Sequence, residues 1–123
     1  TPAYFDFDKS DLSQKAKNEL NDLIEVMKAD KTIILTISGY TDSRGSKDYN
    51  IRLSERRATA ALNYLVQHGI RPNRINAIGY GETHLVSGCV DGTPCTEDKY
   101  ALDRRAEFKL SQVKKKKNTK LKN

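Results

Sequence analysis

The chain has 123 residues, of which 37% are hydrophobic, enough for the single modest core of one small domain. Its formal net charge is +6, yet six lysines stand in the last ten residues without any Asp or Glu, and subtracting them leaves the remainder neutral. Since no run approaches the roughly 20 apolar residues that cross a bilayer, we expect no transmembrane helix.

The first part of the chain predicts a strand followed by a helix. Aromatic and acidic residues alternate over residues 4–7, which is typical of a short strand. Ser10 or Ser13 is then expected to cap a helix. The apolar positions of this helix recur at steps of three and four: Leu12, Ala16, Leu20, Leu23, Ile24 and Met27.

A β-branched strand over residues 31–40 precedes a second helix. The helical pattern runs from about residue 48 to 68, and Gly69 supplies a left-handed terminator. On this helix Arg57 falls within the broad apolar arc, whereas Arg56 falls outside it and is expected to be solvated. A charge on a core-facing stripe is costly unless it is paired or binds something. Arg57 is therefore a candidate functional residue.

The last third of the chain predicts two further strands and a short helix. Pro72 leads into a strand over 74–79, and residues 97–102 are expected to be helical. The alternation over 105–110 predicts a half-buried final strand, with Ala106, Phe108 and Leu110 on one face and Arg105, Glu107 and Lys109 on the other. Strands alternating with helices predict an α/β two-layer sandwich, in which two long helices cover one face of a four-stranded sheet.

Cys89 and Cys95 bracket a loop whose composition favours a turn. Asp91-Gly92 and Pro94 are turn formers, so the chain can fold back and bring the two sulfurs together. We predict a disulfide, which would stabilise the fold by roughly 2 kcal/mol and implies an oxidising compartment such as the periplasm. Free thiols are the alternative. A metal site is less favoured, because zinc usually needs closer pairs and further ligands.

Asp42 stands in the Gly-containing turn that ends the strand over 31–40, and so faces the region that Arg57 would reach. A fixed carboxylate accepts hydrogen bonds from an ammonium, and a planar guanidinium binds a carboxylate through two hydrogen bonds. A free amino-acid head group presents both charges. The alternative is that Asp42 and Arg57 pair with each other as a structural salt bridge.

Five motifs occur in order along the chain. They are Thr41-Asp42-x-x-Gly45, Tyr49-Asn50-x-x-Leu53-Ser54-x-x-Arg57-Ala58, Gly69-Ile70-x-x-x-Arg74-Ile75, Gly79-Tyr80-Gly81-Glu82 and Asp103-Arg104-Arg105. Together they resemble the OmpA-like peptidoglycan-binding domain, a family that occurs in outer-membrane protein A, the peptidoglycan-associated lipoprotein and the stator protein MotB. The resemblance runs from residues 4–8 to about Leu110. It predicts one such domain over 1–112. The lysine-rich composition of 113–123 separately predicts a disordered tail, because such a segment cannot bury enough apolar surface to become ordered.

The resemblance implies a mixed sheet in which the first and last strands are neighbours. It also implies that Asp42 and Arg57 hold the diaminopimelate head group of the cell-wall stem peptide. Thr41 and Asn50 match positions at the rim of the pocket, with turn or helix-cap chemistry as the alternative. Arg104 matches an arginine that can contact the stem peptide, with a plain surface charge as the alternative.

Two further residues are weighed for the same cleft. Asp8 follows the first strand and could line the cleft, or it could cap the first helix through Lys9-Ser10. Arg44, inside the turn, could supply a second cation for a wall carboxylate, but we do not count it among the predicted site residues.

The resulting hypothesis is a non-catalytic module that anchors the outer membrane or an envelope complex to the cell wall from its periplasmic side. We expect no cofactor, no metal, no specific nucleic acid, and membrane contact only through other parts of a longer exported protein. A homo-oligomer is left open. The alternatives are a structural or protein-interaction domain, and a binder of anionic surfaces acting through the lysine tail.

Overall fold

The computed structural model describes residues 2–113. In chain order its elements are β1 (Ala3–Tyr4), α1 (Gln14–Ala29), β2 (Ile33–Gly39), α2 (Lys47–Gln67), a short 3-10 turn (Pro72–Arg74), β3 (Ile75–Gly79), α3 (Glu97–Ala101) and β4 (Arg105–Gln112). The predicted tail lies outside the described residues except for Val113, whose amide donates to the Thr32 carbonyl at 2.9 Å.

The four strands form one mixed sheet in the order β1-β4-β2-β3. β4 runs antiparallel to both β1 and β2, whereas β2 and β3 are parallel. The first and last strands are therefore neighbours, and the predicted α/β architecture with a mixed four-stranded sheet is confirmed. Within residues 2–113, no helix combines the length and the apolar character that a bilayer crossing needs.

The core lies between one face of the sheet and the two long helices. Leu35 and Ile37 of β2 are fully buried and point to this face, together with Ala106 of β4. α2 packs on β2 and β3, while α1 contacts β1 and α2. The residues that α1 buries recur at helical spacing, and Ser13 caps the helix by accepting a hydrogen bond from the Ala16 amide.

Two predictions about the strands are corrected. β1 covers residues 3 and 4 rather than 4–7, because the chain turns after Phe5, where the Lys9 amide donates to the Asp6 carbonyl at 3.1 Å. In β4 the predicted alternation fails at both ends. Leu110 is 40% exposed, since β1 pairs only with residues 105 and 106 of β4, and Arg105 is buried with its guanidinium 4.1 Å from the centre of the Tyr40 ring.

Two glycines let α2 lie directly on the ends of the parallel strands. A Cβ at Gly39 would collide with the Ser54 carbonyl, and one at Gly79 would stand 2.5 Å from the Glu55 amide nitrogen. Ser54 fills the space between them, donating to the Ile51 carbonyl and accepting from the Gly81 amide at 2.8 Å. This close contact fixes the height of α2 above the sheet, and hence the position of the residues one turn further along the helix.

Candidate functional site

A cleft of about 380 Å³ opens beyond the carboxyl end of β2, between the start of α2 and the segment that follows β1. All six residues predicted from the sequence to bind a ligand line it: Asp8, Thr41, Asp42, Asn50, Arg57 and Arg104. Phe7, Arg44 and Tyr49 also line the cleft and were not among the predicted site residues.

Arg57 is fully buried, and three main-chain carbonyls hold its guanidinium. Nη1 donates to Tyr40 at 2.9 Å, Nη2 to Asp6 at 3.1 Å and Nε to Lys9 at 2.8 Å. An arginine carries five N–H donors, so Nη1 and Nη2 each keep one hydrogen beyond these three bonds. The alternative salt bridge is not found, since the ion pairs of Asp42 are made with Arg44 and Arg104.

Burial determines the proton affinity of Arg57. Loss of hydration lowers its pKa to about 10, while the charge of nearby Asp42 opposes this shift and Arg104 reinforces it. Arg57 therefore remains protonated at neutral pH. The cleft has a permanent cation whose position the backbone fixes.

Asp42 is buried, and both hydrogen bonds to its carboxylate come from Arg44. Oδ1 accepts from the Arg44 amide at 3.0 Å and Oδ2 from Arg44 Nη2 at 2.8 Å, while Arg104 Nη1 lies 3.6 Å from Oδ2. A carboxylate offers about four lone-pair sites and these two hydrogen bonds use one on each oxygen, so Asp42 can accept further donors.

Thr41 and Asn50 support the loop that carries Asp42. The Thr41 hydroxyl donates to the Asp42 carbonyl at 2.9 Å, and Asn50 Nδ2 donates to the same carbonyl at 3.3 Å and to Glu82 at 3.0 Å. Both side chains are buried. Their contacts are those of turn chemistry, the alternative weighed from the sequence, although both residues also border the cleft.

Asp8 lines the cleft and does not cap α1, a role that belongs to Ser13. Its φ of +60° is unusual for a residue other than glycine, although aspartate tolerates it better than most. The Tyr49 hydroxyl donates to its carboxylate, and this hydrogen bond raises the pKa of Tyr49.

Arg44 was considered from the sequence but not counted among the predicted site residues, and it makes several of the contacts of the cleft. Its guanidinium carbon lies 4.2 Å from the centre of the Phe7 ring and 4.0 Å from that of Tyr100, and Nη1 donates to Glu97 at 3.1 Å. The hydrogen bonds to Asp42 and Glu97 raise the pKa of Arg44. Its place beside Asp42 in the turn was a usable signal, but nothing local links it to Glu97, 53 residues away.

Arg104 is buried, so the surface-charge alternative does not hold. Its Nε donates to the Phe5 carbonyl at 2.8 Å and its Nη1 to Glu97 at 2.5 Å. The cleft and its border thus gather three arginines and three carboxylates, which sum to zero: Arg44, Arg57, Arg104, Asp8, Asp42 and Glu97. Among residues 2–113, no cluster of three or more His, Cys, Asp or Glu is arranged to hold a metal ion.

These observations define a class: a two-layer α/β domain with an open mixed sheet and a charge-balanced cleft at the end of its second strand. The OmpA family model matches residues 4–94, and the chain belongs to this family. The resemblance read from the motifs is confirmed.

Relatives with similar sequences are envelope proteins of Gram-negative bacteria. Outer membrane porin F of Pseudomonas aeruginosa is 37% identical over 107 residues, which cover 86% of this chain and 29% of that protein. A peptidoglycan-associated lipoprotein of Pseudomonas putida is 36% identical over 109 residues, which cover 89% of this chain and 62% of that protein. The chain therefore spans less than two thirds of either relative.

Solved structures share the fold. The peptidoglycan-associated lipoprotein from Burkholderia pseudomallei superposes with a TM-score of 0.81 at 26% identity, over 89% of each chain. The C-terminal domain of Helicobacter pylori MotB gives a TM-score of 0.76 at 18% identity, over 92% of this chain and 85% of that one. At 18% identity, the similarity to the MotB domain shows a shared fold and nothing more.

Proposed function

We propose that this domain binds peptidoglycan through the diaminopimelate head group of the stem peptide. One observation carries the proposal. Asp42 and Arg57 border the same open cleft, yet each is held by other partners rather than by its counterpart. A carboxylate and a guanidinium kept apart in this way can each receive one end of a zwitterion.

The charges of the cleft support the same ligand. The two remaining N–H groups on Arg57 suit the α-carboxylate of the head group, and the unused capacity of Asp42 suits the α-ammonium. Because the surrounding arginines and carboxylates balance, a ligand with no net charge enters without long-range repulsion. Asp8 and Arg104 border the space that remains, whereas Thr41 and Asn50 act by holding the Asp42 loop.

The cleft offers little for catalysis. Its lining, within the described residues, contains no histidine or cysteine, and the Thr41 hydroxyl is committed to the Asp42 carbonyl. The raised pKa of Tyr49 disfavours the phenolate that a nucleophile would need. The function proposed is therefore binding without turnover.

The names of the relatives fit an anchoring role in the envelope. They include peptidoglycan-associated lipoproteins and outer membrane porin F. We therefore propose that the domain lies on the periplasmic side of the outer membrane. It would link the cell wall to the remainder of a longer protein, through which any membrane contact is made.

The test is a titration with meso-diaminopimelate, followed by amide chemical shifts, beside a pull-down on purified cell wall. Asp42→Asn removes the negative charge and Arg57→Lys removes the planar guanidinium, while each keeps a side chain of similar size. Each is therefore expected to weaken binding at least tenfold. Arg74→Lys is the matched control, because Arg74 also donates to main-chain carbonyls, those of Asp30 and Ile33, away from the cleft.

Binding that survives both cleft substitutions would overturn the proposal in favour of a structural or protein-interaction domain. Deleting residues 114–123 separates the remaining alternative. Wall binding through the cleft should be unaffected by this deletion, whereas binding through the lysine tail would be lost together with its dependence on salt.

A further inference from the structure

The short helix α3 belongs to the site, although its residues lie far from the other site residues in sequence. Both carboxylate oxygens of Glu97 are engaged: Oε1 with Arg44 Nη1 at 3.1 Å and Oε2 with Arg104 Nη1 at 2.5 Å. Tyr100, one turn later, places its ring 4.0 Å from the Arg44 guanidinium. α3 therefore contacts both arginines that flank Asp42.

Glu97 determines how many acceptor sites of the Asp42 carboxylate are occupied by the neighbouring arginines. Arg104 Nη1 is 2.5 Å from Glu97 but 3.6 Å from Asp42 Oδ2, so Glu97 draws this guanidinium away from Asp42. The two arginines in turn lower the pKa of Glu97, which stays ionised at neutral pH. Without the Glu97 charge, Arg104 would be free to close onto Asp42 Oδ2 and occupy the lone pair of that oxygen which Arg44 leaves open.

A disulfide joins α3 to the Asp42 loop. Cys95, two residues before Glu97, is bonded to Cys89, which is buried. The Cys89 carbonyl accepts a hydrogen bond from the hydroxyl of Ser43, the residue that follows Asp42. One end of the disulfide is thus fixed to the Asp42 loop, and the other end leads directly into α3.

Few other bonds fix this segment. In the described part of the chain, the hydrogen bonds of residues 90–96 are made with residues 88–100 only. The side chains of Glu97 and Tyr100 supply the contacts of α3 with the cleft, and Glu97 is 57% exposed. Opening the disulfide would therefore free the segment that carries Glu97 while leaving the sheet and the long helices in place.

We propose that Glu97 is a positioning residue that keeps Asp42 available to a ligand ammonium, and that the Cys89–Cys95 disulfide holds it in that position. Ligand affinity then depends on the redox state of the pair, with the oxidised form binding more tightly. This inference rests on the proposed function, because it concerns the same head group and the same cleft.

The redox step is a two-electron thiol–disulfide exchange with a dithiol. The bond between the two cysteine sulfurs breaks, and both become thiols by taking up two electrons and two protons. The dithiol supplies them and closes to its own disulfide. No other oxidant or reductant is required.

The experiment titrates meso-diaminopimelate into four samples of the full chain: wild type and Glu97→Gln, each oxidised and each reduced with dithiothreitol. Amide chemical shifts report binding and also whether the fold persists. Glu97→Gln and reduction are each expected to weaken binding about three- to tenfold. Reduction should weaken the Glu97→Gln protein less than twofold further, because both changes act through the same carboxylate.

Two controls accompany these samples. Glu25→Gln makes the same charge change on an exposed face of α1 and should bind as wild type does. Glu97→Asp keeps the charge and should recover part of the lost affinity, which a loss of mere packing would not predict.

The possible negative results distinguish the proposed function from this inference. If the oxidised wild type does not bind, the proposed function falls, and this inference falls with it. If it binds but Glu97→Gln is unaffected, or reduction weakens both proteins equally, only the inference is overturned. Global unfolding on reduction would also contradict it, because Glu97 must be released while the remaining fold stands.

Discussion

Single residues in this site are held by hydrogen bonds to nearby polar groups. Asp42 and Arg57 are the clearest case, since the sequence left open, as an alternative, that this turn carboxylate and this buried arginine pair with each other. Arg57 instead uses three carbonyls, and Asp42 uses the residue two positions after it. The two charges remain apart because each already has closer partners.

The Tyr49–Asp8 hydrogen bond can be detected at high pH through the titration of Tyr49. A carboxylate acceptor stabilises the protonated phenol, so the pKa of Tyr49 lies above its ordinary value of 10.0 in the folded protein. The stabilisation from this bond is complete below pH 10 and is lost as the pH rises through the raised pKa of the folded state.

We predict that Asp8→Asn returns the pKa of Tyr49 towards 10, as followed by the 13Cζ shift of the tyrosine ring. Asp6→Asn, the same charge change on an exposed neighbour, should leave the titration unchanged. A Tyr49 that titrates with the other tyrosines in the wild-type protein would contradict the hydrogen bond.

The sequence predicted six residues that line the cleft, but it did not predict their contacts. Helical periodicity placed Arg57 on the buried arc because periodicity reports which face a residue occupies. It carries no information about which main-chain carbonyls will face that residue. The ion pair between Arg44 and Glu97 was out of reach for another reason, since it joins a turn to a helix 53 residues later.

At the scale of elements, the contact between α2 and the sheet sets the geometry of the site. Gly39 and Gly79 lie side by side at the ends of β2 and β3, and α2 rests on both. Ser54 bonds across this contact, and Arg57 follows it by three residues. The distance between helix and sheet therefore decides whether the Arg57 guanidinium reaches the carbonyls of Tyr40 and Asp6.

Gly79→Ala tests this dependence. The added methyl group would stand 2.5 Å from backbone, so α2 must shift, and we expect a loss of about 2–4 kcal/mol in the free energy of unfolding measured with urea. Ligand affinity should fall as well, although the residue lies outside the cleft. Gly88→Ala is the control: its φ of +81° makes it strained, but no atom lies within 4 Å of the new Cβ. A Gly79→Ala protein as stable as this control would refute the close contact.

The elements themselves were largely predictable, and the exceptions have local causes. α2 and β2 begin and end within two residues of their predicted bounds, because apolar periodicity and turn residues mark them. α1 follows the later of its two predicted caps, Ser13, so Leu12 lies before the helix rather than in it. β1 was predicted too long because alternation over 4–7 does not reveal the turn that starts at Asp6. The exposure of Leu110 has a separate cause, because β1 pairs only with residues 105 and 106 and its antiparallel direction carries the following residues away from Leu110.

For the whole molecule, Arg57 ties together three parts of the chain that lie far apart in sequence. Its three acceptors belong to the segment after β1 and to the end of β2, while its own backbone belongs to α2. The site is therefore not confined to a surface loop that the rest of the fold could do without. Its central cation also supports the fold.

We predict that Arg57→Ala lowers the free energy of unfolding by about 3 kcal/mol or more, because three carbonyls lose their donor and a large buried side chain disappears. Arg56→Ala, one position earlier on the exposed side of α2, should change it by less than about 0.5 kcal/mol. Urea unfolding of both variants is the measurement. Equal stability of the two would mean that Arg57 does not support the fold.

The hydrogen bonds from Arg57 to three main-chain carbonyls also have a mechanical consequence if the domain acts as a tether. Tension applied by a bound cell-wall peptide would enter the protein at this guanidinium. It would be distributed over three parts of the fold: α2, the end of β2 and the segment after β1. No single hairpin or loop would carry the load alone. Pulling the ligand away should therefore break the ligand contacts before it unravels the domain.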